Sequence, residues 1–337
     1  MRPVNRREML MLAALLAAGC GPSAPEASTP PRQEGTGADG TAPGPTSGSP
    51  SGPASPGVTV PAAAPWRAGA GEVRPQVKEL AARLVETAGT WTAGASSAAD
   101  LRTRLADAGF AAALADAAIA LQADSPAASL AVIYPQYGGL SGGRASVMVT
   151  AEQTLVQGGA MTRRGHTVDV RLMAGAPGGP WLVEDVLPGV PGPPGAPVNA
   201  TARAVLENAR ITLPAAAEAG IRAGVVDHQV LAVLAGLAAD HELTVTVLVS
   251  GHPRNVFGTD RVSKHTLGKA VDIWAIDGQP VVDPDTPRDL VTSVMRRAAA
   301  LGAVEVGGPV DLDARGGGTF FTDQVHQDHV HVGVRGT

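Results

Sequence analysis

The segment SKHTLGKAVDIWAIDG (residues 263–278) decides how this chain is expected to fold, together with HQDHVHVGV (326–334) about fifty residues later. Both segments alternate between polar and branched apolar residues, which is the pattern of a β-strand with one buried face. Asp272 lies on the polar face of the first strand, and His329 and His331 lie on the polar face of the second. If the two strands are neighbours, these side chains point into one cleft.

His265 precedes the first strand and adds a candidate imidazole ligand to the same cleft. Two imidazoles and one carboxylate are typical ligands of catalytic zinc, which keeps a fourth coordination position open for water. Cys20 is the only cysteine of the 337 residues, so the chain offers neither a cysteine-ligated metal site nor an internal disulfide. The pattern therefore predicts a zinc site, with His265, Asp272 and His331 as candidate ligands.

The first twenty residues, MRPVNRREMLMLAALLAAGC, have the layout of an export signal. Arginines form a basic start, an apolar core follows, and a run of small residues ends at Cys20. This order predicts a lipoprotein signal peptide (1–20) with Cys20 acylated at the mature N-terminus; an ordinary signal peptide is the alternative. The pair Arg6-Arg7 also loosely resembles a twin-arginine export signal. We expect an exported protein that is lipid-anchored to the outer face of the bacterial cell membrane.

Residues 21–65 are expected to form a disordered tether behind this anchor. They contain 11 of the 28 prolines, with many small polar residues and almost no large apolar side chain. Such a segment buries too little surface to offset the entropy lost on ordering. The folded part of the protein is therefore expected to begin near residue 66.

The segment PGVPGPPGAPVN (188–199) has proline or glycine at most positions and predicts a linker between two domains. The domain before it (66–187) begins with helical patterns and continues with strand-like runs, which predicts helices packed on a curved antiparallel sheet. We expect helices at about 74–90, 98–107 and 109–121, and strands near 129–139, 144–156, 162–175 and 181–187. No catalytic constellation stands out there, so a binding or spacer role is expected for this accessory domain.

The domain after the linker (200–337) carries the candidate zinc ligands. Its patterns predict helices at 226–241 and 287–301, a buried strand at 243–250, and short strands near 303–306 and 319–322. With the two alternating segments, these elements again mix helices and strands. The sequence therefore predicts an α+β protein.

The motifs SxHxxGxAxD (263–272) and DHxH (328–331) resemble those of a known group of enzymes. They are similar to the zinc peptidases of the D-Ala-D-Ala carboxypeptidase and dipeptidase clan. That clan shares its fold with the Hedgehog signalling domain and with murein endopeptidases of the lysostaphin-related group. The resemblance covers roughly residues 205–335. It implies a Hedgehog/DD-peptidase-like α+β domain in which His265, Asp272 and His331 bind Zn²⁺.

The resemblance also implies catalytic roles for Asp328 and His329. The run HxxHxH (326–331) additionally matches the murein endopeptidases, which makes His326 a further catalytic candidate. Which residue is the base stays open, because Asp328 takes the position of the dipeptidases' carboxylate while strict alternation turns it away from the cleft. We favour Asp328 as the base and His329 as the charge stabiliser if the strand begins only at His329.

Substrate binding departs from the pattern of the clan. Its usual Ser-Gly-Tyr-Arg run supplies an arginine that binds a substrate carboxylate, whereas this chain has SGHPR (250–254). Arg254 is therefore displaced, although it remains the substrate-binding candidate together with Ser263. A free C-terminal D-Ala on the substrate is accordingly not implied.

These expectations describe a zinc-dependent peptidase that acts on peptidoglycan peptides of the cell wall. The alternative is a catalytically silent zinc-containing module that binds the wall or signals, as in Hedgehog relatives. Silent sites usually lack the base, and this chain retains Asp328 and His329. The net charge of −5 argues against a nucleic-acid partner.

Overall fold

Two β-sheets with flanking helices make up the described part of the chain. The computed structural model describes residues 59–92, 94–157, 159–176, 179–190, 197–316 and 318–336. The expected signal peptide, Cys20, most of the expected tether and the middle of the expected linker lie outside these residues.

The helices occur on both sides of the proline-rich segment at 188–199. A capping box between Ser97 and Asp100 starts the second helix, and Asp227 caps the sixth by accepting a hydrogen bond from the N–H of Gln229. A 3-10 turn (Ala118–Leu121) continues the third helix. The helices are α1 (Pro75–Gly89), α2 (Ala98–Asp107), α3 (Leu114–Ala117), α4 (Ala200–Leu206), α5 (Ala215–Arg222), α6 (His228–Leu237) and α7 (Arg288–Ala300).

The first sheet is an antiparallel meander in the order β1-β2-β3-β4. Its strands are β1 (Ala128–Ser141), β2 (Arg144–Gln157), β3 (Ala160–Ala174) and β4 (Trp181–Pro188). Apolar side chains of α1 and α2, among them Leu84 and Leu101, form one buried core with Val147 and Val170 of the strands. Helices followed by an antiparallel sheet were expected here, and this arrangement is confirmed.

The second sheet has the strand order β10-β9-β11-β7-β6-β5, with β8 paired to β7. Its central pair β11·β7 is antiparallel and places His331 directly opposite Asp272. Helices α4 to α7 contribute to the core beneath it. The strands are β5 (Ile211–Thr212), β6 (Leu243–Val247), β7 (Ala270–Ile276), β8 (Gln279–Pro280), β9 (Glu305–Gly307), β10 (Phe320–Phe321) and β11 (Val330–Gly333).

The two sheets meet at the polar face of β7. Tyr134 of β1 stacks on Trp274 of β7, with ring centroids 4.5 Å apart and an angle of 8° between the rings. Gln136, two positions after Tyr134, donates a hydrogen bond to Asp272, which lies two positions before Trp274. The described residues, from 59 onward, accordingly belong to one compact unit. The face that the sequence predicts to line an open cleft is covered along part of its length by β1.

The expected α+β class is confirmed, since helices and antiparallel or mixed sheets occur together. Among the described residues, no helix is both long and apolar enough to cross a lipid bilayer.

Candidate metal centre

His265 lies in the turn that leads into β7, and a backbone hydrogen bond fixes the orientation of its ring. Its Nδ1 lies 2.8 Å from the carbonyl oxygen of Leu248 and donates a hydrogen bond to it. The other ring nitrogen, Nε2, then carries a lone pair and points into the site. Ser263, the predicted substrate-binding residue, accepts a hydrogen bond from the backbone N–H of His265. The turn therefore presents His265 in the tautomer that a metal ligand needs.

The three predicted ligands converge on one point. His265 Nε2 lies 3.1 Å from Asp272 Oδ1 and 3.2 Å from His331 Nδ1, and the latter two atoms are 2.9 Å apart. All three residues are buried. Ligand atoms of a tetrahedral zinc ion with bonds of 2.0–2.1 Å lie about 3.3 Å from one another. The triangle therefore has nearly the size that zinc requires.

The donor set fits a cation on chemical grounds as well. Because Nδ1 of His265 donates to Leu248, the lone pair of its Nε2 faces the carboxylate of Asp272, which is also an acceptor. Two buried acceptors in contact are unfavourable unless a proton or a cation lies between them. A divalent cation bound by His265, Asp272 and His331 would satisfy all three.

The protonation states agree with this fit. Burial alone would raise the pKa of Asp272, but the neighbouring His265 and His329 outweigh it and hold the pKa well below its ordinary value. Burial lowers the pKa of His331 to about 4. A carboxylate and a neutral imidazole are the forms that bind a metal ion.

His252 offers a second way to complete the group. Its ring stacks on that of His265 with centroids 4.1 Å apart, and ligand atoms of His252, His265 and Asp272 lie within 4.8 Å of one another. The atoms of the group that contains His331 are closer together, at 2.9–3.2 Å. His331 and His252 are therefore both candidates for the third ligand position, and the shorter distances favour His331.

His329 lies next to the candidate ligands with Asp328 behind it. His329 Nδ1 donates to Asp328 Oδ1 at 2.6 Å, and His329 Nε2 lies 3.7 Å from Asp272 Oδ2. Burial alone would lower the pKa of His329, but the carboxylates of Asp272 and Asp328 raise it above its ordinary value. The imidazole therefore has one nitrogen bound to a carboxylate and the other directed at the site.

Both oxygens of Asp328 are engaged away from the cavity. Oδ1 accepts from His329, while Oδ2 accepts from the backbone N–H of Tyr137 at 3.1 Å and pairs with Lys78 Nζ at 2.5 Å. Strand β11 begins at Val330, so Asp328 precedes the strand. Asp328 thus contacts the site through His329.

A cavity of about 290 Å³ opens in front of these groups. His326 and Ser263 line it, as do the candidate ligands and His329. His326 Nδ1 lies 2.8 Å from Asp323 Oδ1, which fixes its ring. Arg254 instead lines a separate depression, and Arg261 is the arginine that lines the cavity with the candidate ligands.

Three contributions from the N-terminal half were not predicted from the sequence. Gln136 Nε2 donates to Asp272 Oδ2 at 2.7 Å, while Lys78 and Tyr137 bind Asp328. A signal for Lys78 exists in the sequence, because it falls three, four and seven positions before apolar residues of α1 and so lies on the buried helix face. Gln136 and Tyr137 offer no comparable signal, since polar and aromatic residues alternate in many exposed strands.

No protein-family model, no curated protein and no solved structure matches this chain.

Proposed function

We propose that the protein is a zinc-dependent peptidase acting on peptidoglycan peptides, as the resemblance to the D-Ala-D-Ala carboxypeptidase and dipeptidase clan implies. The observation that carries this proposal is the convergence of His265 Nε2, Asp272 Oδ1 and His331 Nδ1 within 2.9–3.2 Å beside a histidine–aspartate pair. Zinc bound there would polarise a peptide carbonyl and lower the pKa of a water molecule toward neutrality.

His329 is the best-placed general base. Its Nδ1–H is donated to Asp328, and zinc bound to Asp272 would offset the negative charge that raises the pKa of His329, so its Nε2 could take the proton of the attacking water and return it to the leaving amine. Asp328 fixes the tautomer and the orientation of the ring, which is the role of the buried aspartate in other histidine–aspartate pairs. Of the two assignments left open by the sequence, we therefore prefer His329 as the base over Asp328.

The cavity offers charged groups of both signs to a peptide. Arg261 and Lys264 lie on its wall, as do Glu305 and Asp323. Peptidoglycan peptides carry carboxylates and amines, which these side chains can bind through charge-assisted hydrogen bonds. We therefore propose that Arg261, rather than the predicted Arg254, binds a substrate carboxylate.

Replacing His329 with Ala tests the enzymatic part of the proposal. The variant should keep its zinc, because His329 is not a ligand, and should lose activity by about 10²–10⁴-fold, the range for a positioned acid–base group. His326→Ala should lose less activity. His326 also lines the cavity, and its ring centroid lies 5.0 Å from that of His329. Activity is measured as fragments released from purified peptidoglycan and identified by mass.

The silent-module alternative has a distinct outcome in the same experiment. A wild-type chain that holds one zinc but releases nothing from peptidoglycan or D-amino-acid peptides between pH 5 and 9 would support a binding role. Equal activity of wild type and His329→Ala would reject His329 as the base.

We further propose that Cys20 carries the lipid anchor expected from the lipoprotein signal. Cys20→Ser should release the exported protein from the membrane fraction, because the acyl chains would no longer be attached. Cell fractionation followed by immunoblotting measures this. Retention of the variant in the membrane fraction would contradict the assignment.

A further inference from the structure

Lys78 is a buried cation of α1 that reaches the metal centre from the N-terminal half of the chain. Its side chain is fully buried. Its Nζ lies 2.5 Å from Asp328 Oδ2 and 3.1 Å from the Tyr134 hydroxyl, and it also pairs with Glu72 Oε2. An ammonium group has three N–H donors, and these three oxygens accept all of them. Lys78 is therefore held in one position.

The two carboxylates that share Lys78 differ in their electrostatics. Burial raises the pKa of Glu72 above its ordinary value even beside the lysine. Burial acts on Asp328 in the same direction, but Lys78 and His329 outweigh it, so the pKa of Asp328 lies below its ordinary value. Lys78 thus lowers the pKa of both carboxylates, and at Asp328 it acts together with His329.

We propose that Lys78 is a positioning residue of this site: it holds the Asp328 carboxylate against His329 Nδ1 and thereby fixes the direction of His329 Nε2. The chain of contacts runs from Lys78 Nζ to Asp328 Oδ2, and from Asp328 Oδ1 to His329 Nδ1 at 2.6 Å. Neither Lys78 nor Asp328 lines the cavity. The kinetic consequence rests on the proposed function, whereas the orientation of His329 can be tested without it.

The backbone of β1 supports the same arrangement. The N–H of Tyr137 donates to Asp328 Oδ2 at 3.1 Å, and Lys78 Nζ lies 5.2 Å from the centroid of the Tyr137 ring. Tyr137 in turn donates its hydroxyl to the carbonyl oxygen of Val73, just before α1. The N-terminal half thus holds Asp328 from two elements, and the catalytic histidine of the C-terminal half depends on both.

A buried lysine between carboxylates can also serve folding alone, and the test must separate the two roles. Lys78→Met removes the charge, so the buried carboxylates of Glu72 and Asp328 both lose their lysine partner, which destabilises a fold. In the double variant Glu72→Gln/Lys78→Met, Asp328 is the one carboxylate that loses the lysine, and it keeps the hydrogen bond from His329. Arg104→Met is the matched control, because Arg104 is a partly buried cation of α2 that donates to the carbonyl oxygens of Ala88 and Ala95, outside the site.

All variants are made in the full chain and loaded with zinc. Three readouts are compared: zinc per chain, kcat and KM on peptidoglycan peptides, and the imidazole Nδ1–H signal of His329 in NMR spectra, assigned by its loss in His329→Gln. Both Lys78 variants should keep zinc and KM, lose kcat by about 10–100-fold, and shift or lose the His329 signal. Arg104→Met should leave all three readouts unchanged.

A folded Lys78 variant with an unchanged His329 signal would overturn the proposal. Failure of both Lys78 variants to fold would also overturn it, by assigning Lys78 to folding. A wild-type chain without peptidase activity whose His329 signal still depends on Lys78 would instead refute the proposed function and leave the positioning role supported.

Discussion

Three side chains at the candidate metal centre are each held by a second contact that sets their direction. Leu248 holds the ring of His265, Gln136 holds the carboxylate of Asp272, and Asp328 holds the ring of His329. Residue types and their spacing were enough to predict that His265, Asp272 and His331 lie together, because the two alternating strands place them on one face. The supporting contacts could not be predicted in this way, because they come from residues far away in the sequence.

The turn that carries His265 depends on Gly268. Its φ is +70°, a left-handed conformation that favours glycine, and a Cβ atom there would overlap the carbonyl oxygen of Val225. The carbonyl of Gly268 also accepts a hydrogen bond from the N–H of Asp227, the N-cap of α6. A backbone shift at this point would therefore move both His265 and the start of α6.

Gly268→Ala should destabilise the protein and weaken zinc binding, whereas Gly278→Ala serves as the matched control. Gly278 has a similar φ of +74° but open space where a Cβ would lie. Gly278→Ala should lower the free energy of unfolding by about 1–2 kcal/mol, because of the left-handed conformation alone. Gly268→Ala should lower it clearly more. Urea unfolding and zinc content measure the two effects. Equal costs at the two glycines would contradict a close contact at Gly268.

At the scale of elements, the contact between β1 and β7 is the most informative feature. Asp272 and Trp274 lie on the polar face of β7. Gln136 of β1 contacts Asp272, and Tyr134 of β1 contacts Trp274. Gln136 of β1 thereby occupies Asp272 Oδ2, while Asp272 Oδ1 faces His265 and His331. Hydrogen bonds of this kind typically raise the metal affinity of a site.

Gln136→Leu should weaken zinc binding by about 10–100-fold, because it removes the hydrogen bond to Asp272. Gln153→Leu is the control, since Gln153 is a buried glutamine of the same sheet that donates to the carbonyl oxygens of Gly89 and Leu121. Competition with a chelator of known affinity measures both variants. Similar losses in the two variants would show that Gln136 acts only through folding.

The elements with a clear hydrophobic period were predicted within a few residues. Helix α1, the four-stranded meander and α7 lie close to their expected positions. The helix expected at 109–121 is shorter, because Gly109 with a φ of +82° ends α2 and helical structure resumes only at Leu114. Helices α4 and α5 and strand β5 were not predicted. They are short, so packing against the rest of the core rather than a local pattern determines them.

At the scale of the whole molecule, the candidate metal centre lies where β1 and α1 meet the second sheet. The Tyr137 N–H and the Asp328 carboxylate that accepts its hydrogen bond are 191 positions apart in the sequence. The proline-rich segment at 188–199 led us to expect an accessory domain with a binding or spacer role. No periodicity in one sequence reveals a contact over such a distance, so the contribution of the first half to the site could not be foreseen.

Zinc content and X-ray absorption at the zinc edge, measured on the full chain, test the metal centre most directly. The histidines to compare are His331 and His252, with His241 as a surface control that pairs with Asp277. Wild type should bind about one zinc ion. His331→Ala should lose stoichiometric zinc, whereas His252→Ala and His241→Ala should retain it. Loss of zinc in His252→Ala with retention in His331→Ala, or a wild-type chain that binds none, would contradict the assignment of His265, Asp272 and His331 as the ligands.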